Sequence, residues 1–192
     1  MFTEQLYYHF SSIASTNTVA VNMAEQGAEH GTVVHADRQT GGKGRGGRQF
    51  SSPVGGLYFS LILRPDLDVT VLPLITLAAG TCLCTSIREA AAVPVVMKWP
   101  NDLYLRERKL AGILVDSGPI RKGQADFIVI GVGLNVTTAP EQFPLELRSK
   151  SISLAAVSSC CPSVETLLLR KNDTLTAVPF SEETTELSSG AE

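Results

Sequence analysis

The sequence predicts an α+β fold, a mixed β-sheet with flanking helices, and three observations carry that prediction. Short runs rich in β-branched and aromatic residues recur between glycine and proline punctuation, and two longer stretches carry helical periodicity. In the second half, strand candidates follow one another without an intervening helix, which argues against a strictly alternating, doubly wound sheet. The 192 residues suffice for one domain or a domain with an appendage. With 44% hydrophobic and 18% charged residues the chain can bury a core, which sets aside the disordered, collagen-like and disulfide-scaffold classes. A formal net charge of −3 gives no global attraction for nucleic acid or anionic lipid, so any polyanion site must come from a local cluster of Lys and Arg.

Along the chain, Val19, Ala20, Met23 and Ala24 stand at helical spacing behind polar residues able to cap, which predicts a helix from near Ser15 to near Gly27. Thr32-Val-Val-His-Ala and Leu57-Tyr-Phe-Ser-Leu-Ile-Leu read as strands joined by a glycine-rich loop. Residues 70 to 92 carry Val71, Leu74, Ile75, Leu77, Leu83 and Ile87 with no proline after Pro73, the pattern of a mostly buried helix. Three more strand candidates follow: Pro94-Val-Val-Met-Lys-Trp-Pro, Lys109-Leu-Ala-Gly-Ile-Leu-Val, and the run from Asp126 to Val136. A short helix is expected over residues 164 to 170. The Ser-, Thr- and Glu-rich stretch 172–192 is expected to be an acidic, disordered tail on a domain of residues 1–171. The N-terminus lacks the basic start and apolar run of a signal peptide, and no run has the character of a membrane span, so a cytoplasmic protein without a membrane partner is expected. Cys82 and Cys84 lie in an apolar stretch and Cys160 and Cys161 are adjacent, spacings that fit neither a metal site nor a C-x-x-C redox motif; all four read as reduced thiols.

Chemistry concentrates first in Gly41-Gly-Lys-Gly-Arg-Gly-Gly-Arg48, where five glycines and three cations share eight residues. Glycine lets successive backbone amides approach one anion and Lys43, Arg45 and Arg48 neutralise its charge, so a phosphate or carboxylate is implied. Gly42, Gly44 and Gly47 match the dinucleotide fingerprint in spacing, but a strand rather than a helix follows. A Walker A loop also fails, because Gly44 stands where Ser or Thr is required after Lys43. A solvated linker or an arginine-glycine nucleic-acid segment remains open on this loop alone.

A second concentration is Lys98-Trp-Pro-Asn-Asp102 at a strand exit, where Asp102 could hold Mg²⁺ or a ribose hydroxyl; an ordinary Asn-Asp turn beside a core tryptophan is the plainer alternative. Lys109-Leu-Ala-Gly-Ile-Leu sets a cation beside Ala111 and Gly112, a gap suited to a small acid ligand, unless Lys109 merely guards a sheet edge. Gly131-Val-Gly-Leu-Asn135 empties a strand of side chains and ends in an amide, unless it marks a bulge.

These motifs, in this order, resemble the catalytic domain of the biotin protein ligases: Ser15-Thr-Asn17, Gly42-Lys-Gly-Arg-Gly-Gly-Arg48, Gly56-Leu-Tyr-Phe-Ser60, Lys98-Trp-Pro-Asn-Asp102, Arg108-Lys-Leu-Ala-Gly-Ile-Leu114 and Gly131-Val-Gly-Leu-Asn135, over about residues 11 to 157. The resemblance implies a fold similar to class II aminoacyl-tRNA synthetases. It also implies an enzyme that joins biotin and MgATP into biotinyl-5′-adenylate and passes biotin to one lysine of a biotin carboxyl carrier protein. Biotin and ATP are then substrates, Mg²⁺ is the accompanying ion, and a homodimer is compatible with the family. Position by position, Ser15, Thr16, Asn17, Gln39, Gly42, Lys43, Gly112 and Gly131 resemble biotin-pocket residues. Gly44, Arg45, Arg48, Asn101 and Asn135 resemble positions on the ATP or adenylate, and Asp102 one on the metal side. Lys109 resembles the lysine that bridges the biotin carboxylate and the α-phosphate, and Arg45 the arginine that retains the adenylate.

The chain departs from the family pattern at Lys43, where arginine is common, and at Phe50, where tryptophan is frequent. Near Ser151-Ile-Ser-Leu154 there is no tryptophan to stack on adenine. Neither an N-terminal helix-turn-helix domain nor the family's small C-terminal domain is expected, so no DNA partner is implied. A homologue that binds biotin or its adenylate without completing transfer stays open, as do a nucleic-acid-binding protein and a lipoate or octanoate ligase.

Overall fold

A computed structural model describes residues 6–158. The expected helix over 164–170, the tail 172–192, and Cys160 and Cys161 lie outside the described residues. The elements run β1 (Tyr7–Phe10), α1 (Thr16–Glu25), β2 (Val33–Ala36), β3 (Gly56–Leu63), α2 (Leu72–Ala91), β4 (Val96–Lys98), β5 (Asp102–Leu105), β6 (Arg108–Ser117), β7 (Ile120–Arg121), β8 (Gln124–Ala125) and β9 (Ile128–Asn135). Seven of these strands form one sheet in the order β1, β2, β3, β9, β6, β5, β4, and β7 and β8 form a separate hairpin. β1 pairs with β2 in parallel across the α1 crossover and every other neighbour pair is antiparallel, so the sheet is mixed and the fold is α+β, as predicted.

Strand alternation sorts the core into two layers. On one face, Leu57, Phe59 and Leu61 of β3, Ile113 of β6 and Ile128, Ile130, Val132 and Leu134 of β9 pack with Ala79, Leu83, Cys84 and Ile87 of α2. On the other, Val34, Ile62, Phe127 and Val129 pack with Ala20 and Ala24 of α1. Ser15 caps α1 by accepting a hydrogen bond from the Thr18 amide at 3.5 Å. At the other end Gly27 takes a left-handed φ of 94°, and Arg64 reaches the carbonyls of Ala24 and Ala28 at 2.6 and 2.9 Å, closing the last turn. α2 stops at Ala92, with φ 52°, shortly before Pro94.

Three sequence expectations need correction. The segment Val69–Ala91 is long and apolar enough to cross a membrane, contrary to the expectation that no run has that character; in the fold one face of α2 lies on the sheet. β1, β5 and the β7–β8 hairpin were not foreseen, because each is too short or too exposed to show a clean period of two. Trp99 is not a core residue: it is 77% exposed beside the cis Trp99–Pro100 peptide.

Candidate active site

Glycine placement explains the cleft. Alternation aims Gly131, Gly133 and Asn135 of β9 at the α1 face, together with Gly112, Leu114 and Asp116 of β6. Gly112 lies opposite Gly133, and Gly131 is flanked by Leu114 on β6 and Ser60 on β3, so the sheet presents a floor opened by three glycines. The register runs unbroken through Gly131–Gly133, which removes the bulge alternative; the irregularity lies in β5, between Leu103 and Tyr104. Above this floor is a cleft of about 330 Å³.

Ala111 does not open the gap beside Lys109, because it points to the α2 side and is fully buried in that core; Gly112 alone faces the cleft. β6 is also an interior strand between β9 and β5, so Lys109 does not guard an edge.

The glycines make room for specific side chains. A methyl group on Gly131 would collide with Asn17 Oδ1, and one on Gly133 would meet the Phe50 ring at 2.5 Å. Phe50 therefore lies over the floor, edge-on to Tyr58 and 5.5 Å from Lys109 Nζ. Asn17, only 4% exposed, is fixed at both ends of its amide. The Ser60 hydroxyl donates to its Oδ1 at 2.6 Å and its Nδ2 donates to Asp116 Oδ2 at 2.8 Å. Ser60 Oγ also lies 2.9 Å from Thr16 Oγ1. Gln39 Oε1 accepts from the Thr16 amide at 2.7 Å and hydroxyl at 3.1 Å, and Gln39 Nε2 donates to Ser52 Oγ at 2.8 Å. One end of the cleft is thus a connected polar network in which the partners set each donor and acceptor direction.

The basic loop forms an irregular hairpin between β2 and β3. Lys43 bridges Gln49, the Phe50 amide donates to the Gly42 carbonyl at 2.9 Å, and the Gly44 amide to the Arg48 carbonyl at 2.7 Å. Its tip, Arg45–Gly47, is a single 3₁₀ turn with Gly46 at φ 68°, so no α-helix follows the glycines and the dinucleotide fingerprint is absent structurally as well. Gly42 does not line the cleft; a methyl group there would strike Phe50 O and Ser52 Oγ, so it lets the hairpin legs approach behind the cleft wall.

At the far end, Lys109 Nζ pairs with Asp102 Oδ1 at 2.6 Å, both partly buried. Lys43, Arg45, Arg48, Lys109 and Lys150 supply five cations to the lining against the single carboxylate of Asp102, so the cleft favours an anionic occupant. Asn101 is buried with Nδ2 donating to the Ile113 carbonyl at 2.9 Å, which ties the Trp99–Pro100 turn to β6. Asn135 Nδ2 donates to the Ile152 carbonyl at 3.1 Å, while its Oδ1 is buried without a hydrogen-bond partner among the described residues.

All the residues matched by resemblance to a biotin, nucleotide, metal or catalytic position, except Gly42, therefore line one cleft: Ser15, Thr16, Asn17, Gln39, Lys43, Gly44, Arg45, Arg48, Asn101, Asp102, Lys109, Gly112, Gly131 and Asn135. Asp116 escaped the sequence reading, although counting by twos from Gly112 would have put it on the same face. Tyr104, Phe143, Leu147 and Lys150 also line the cleft without a motif to announce them.

The geometry has counterparts among known proteins. The family model for the biotin/lipoate A/B protein ligase family matches residues 9–135. A bifunctional ligase/repressor BirA of Bacillus subtilis is 38% identical over 153 residues, 79% of this chain and 46% of its own length. A biotin–[acetyl-CoA-carboxylase] ligase of Mycobacterium tuberculosis is 39% identical over 134 residues, 67% of this chain and 48% of its own. Among solved structures, a biotin protein ligase from Aquifex aeolicus in complex with biotin and ATP superposes with a TM-score of 0.72 at 30% identity, over 88% of this chain and 68% of that one. The chain spans about half the length of the curated relatives it matches. With the family model covering well over half of its residues, and with a mixed sheet, glycine floor and basic hairpin in the expected order, the chain belongs to the biotin/lipoate A/B protein ligase family and carries the catalytic fold of the biotin protein ligases.

Proposed function

We propose that this chain activates biotin with ATP to biotinyl-5′-adenylate and transfers the biotinyl group to a lysine of a biotin carboxyl carrier protein, acting in the cytoplasm. The observation that carries the reading is the placement of Lys109 in a cation-lined cleft, between the glycine floor and the basic hairpin. Biotin offers a ureido ring with two N–H donors and one carbonyl, an apolar tail and a terminal carboxylate. The side chains of Ser15, Thr16, Asn17 and Gln39 line one end with hydrogen-bonding groups, and the Phe50 ring over Gly112 and Gly133 offers an apolar bed for the tail.

In the first step a biotin carboxylate oxygen attacks the α-phosphorus of ATP; the bond to the bridging oxygen breaks and pyrophosphate leaves. Two anions must approach each other, so a cation between them lowers the barrier electrostatically. Lys109 supplies it, held in place by Asp102. In the second step the neutral ε-amine of the acceptor lysine attacks the acyl carbon, the acyl–phosphate bond breaks, AMP leaves with its electron pair, and the new amide nitrogen gives up one proton to AMP or solvent. Arg45 and Arg48 hold the adenylate between the steps, with Lys43 and the Gly44 backbone closing over it. Asn101 shapes the nucleotide side through its bond to Ile113. Mg²⁺ arrives with ATP, and the hard oxygen donors suited to it are the Asp102 carboxylate and Asn135 Oδ1. When bound it neutralises phosphate charge.

Biotin-dependent exchange of labelled pyrophosphate into ATP tests this reading, with Lys109→Ala as the control. Exchange by wild type, reduced about 100- to 1,000-fold in Lys109→Ala, is the expected result, on the scale of removing one transition-state charge partner. Exchange at wild-type rate in Lys109→Ala refutes the role of Lys109. Biotin binding by calorimetry without exchange in wild type identifies a binder that does no chemistry.

A further inference from the structure

A second cluster of chemically specific side chains lies away from the cleft, at the β1 edge of the sheet. The chain has three histidines, and two of them, His9 on β1 and His35 on β2, stand directly opposite each other in the parallel register. His35 shares a β2 face with Val33, the α2 side, whereas the cleft opens on the α1 side. Asp37 follows two residues later, and its Oδ1 lies 2.7 Å from His9 Nε2. The two imidazole rings are 4.9 Å apart between centroids, and one ligand atom from each of His9, His35 and Asp37 falls within 4.8 Å of the other two. None of the three lines the cleft.

We propose that His9, His35 and Asp37 form a binding site for a divalent transition-metal ion, with Zn²⁺ the best match. Two imidazoles and a carboxylate are the nitrogen and oxygen donor set of three-ligand zinc sites, in which water completes a tetrahedron. The His9–Asp37 separation is a little under the roughly 3.3 Å between two ligands of a tetrahedral zinc ion, so a slight opening admits the metal. The rings are stacked at 17°, and ligation requires the His9 ring to swing its Nε2 into line with Asp37 and His35. Its side chain, 48% exposed, has the room to do so, and that of Asp37 is 45% exposed. His35 is the fixed member: it is 4% exposed and its Nδ1 is hydrogen-bonded to the Tyr7 hydroxyl at 2.8 Å, an outer contact that orients the ring and directs ligation to Nε2.

The ion staples edge strand β1 to β2. From β1 the chain runs through Ile13, which bridges Gln39, directly into Ser15, Thr16 and Asn17, and Asp37 stands two residues before Gln39. Metal occupancy therefore braces both backbone segments that reach the polar end of the cleft.

Calorimetric titration of ZnCl₂ into the untagged, chelator-stripped chain, paired with thermal melts, tests the proposal. Expected are one zinc per chain, at least a tenfold weaker affinity in both His9→Ala and Asp37→Asn, and unchanged binding in His30→Ala. A melting temperature raised about 5 °C at saturating zinc is also expected in wild type and His30→Ala, and a smaller rise in His9→Ala and Asp37→Asn. Asp37→Asn keeps a hydrogen-bonding partner for His9 and guards against loss of folding as the explanation. Cobalt(II) as a spectroscopic probe separates this site from the cysteines: an absorption spectrum without thiolate charge transfer supports it. No binding, binding undiminished in both variants, or a thiolate band that follows the cysteines overturns it.

Discussion

Gly131→Ala is the substitution with the most sharply defined consequence. The added methyl group has nowhere to go, because Asn17 Oδ1 occupies its position and Asn17 cannot retreat. That residue is the second of α1, in the turn that Ser15 caps, and its amide is held by Ser60 on one side and Asp116 on the other. Turning the amide aside breaks one neutral hydrogen bond, worth about 1 kcal/mol, and one to a carboxylate, worth about 1.5–3 kcal/mol. Replacing a strand glycine returns about 0.5 kcal/mol of backbone entropy. The net loss is about 2–3.5 kcal/mol, which for a chain of this size lowers the melting temperature by roughly 4–14 °C. The same displaced amide lines the proposed biotin pocket, so biotin affinity falls about 10- to 100-fold, at 1.4 kcal/mol per tenfold step. Melts and calorimetry read both numbers. In an Asn17→Ala background the alanine at 131 should cost less than about 0.5 kcal/mol further, since the group it strikes is gone. A Gly131→Ala chain with wild-type melting and biotin affinity, or full additivity with Asn17→Ala, refutes the wedge.

Asp116→Ala removes the acceptor for Asn17 Nδ2 from outside the cleft lining; biotin affinity should fall about tenfold with ATP affinity within about twofold, and an unchanged biotin affinity would assign Asp116 to the surface alone. Tyr58 is fully buried and its hydroxyl donates to the Pro53 carbonyl at 2.8 Å, and burial pushes the phenol well above the ordinary tyrosine range. The unfolded chain releases that proton near pH 10 while the folded chain keeps it, so stability from Tyr58 is intact below about pH 10 and is lost as pH rises beyond it. Urea melts between pH 8 and 11 should show a shallower alkaline decline in Tyr58→Phe, with about 1 kcal/mol lost at neutral pH; identical slopes would mean that the phenol ionises freely.

Much of the cleft was legible because its chemistry depends on residues that are locally conspicuous. Glycines in a strand, a cation at a strand start and a glycine-arginine loop all contradict ordinary element composition, and contradictions of that kind concentrate at functional sites. Side-chain parity was the weak point. Ala111 and Gly112 were read as one gap although neighbours on a strand face opposite ways, and the same parity would have brought Asp116 to Asn17. The Lys109–Asp102 pair was hidden differently, since it spans a β5–β6 hairpin whose register shifts between Leu103 and Tyr104. β1 was missed because Tyr7, Tyr8 and His9 are all exposed, which erases the alternation that marks a strand with one face buried. Its existence depends on a parallel partner beyond α1 that no local window contains.

The position of β9 bears on how the protein is made. It is the last strand of the large sheet to be synthesised among the described residues, yet it sits between β3 and β6 and pairs with both. Until residue 135 has emerged from the ribosome, β3 and β6 have no common neighbour, and the sheet remains two fragments with facing unpaired edges. Joining β3 to β9 closes a loop from residue 63 to 128, the sort of long-range pairing that slows folding and leaves intermediates open to edge-to-edge association. Because Gly131, Gly133 and Asn135 arrive on that final strand, the cleft comes into being in the same event that completes the sheet. A nascent or prematurely terminated chain therefore has no floor on which to hold a ligand, and ligand can stabilise only molecules that have passed the slow step.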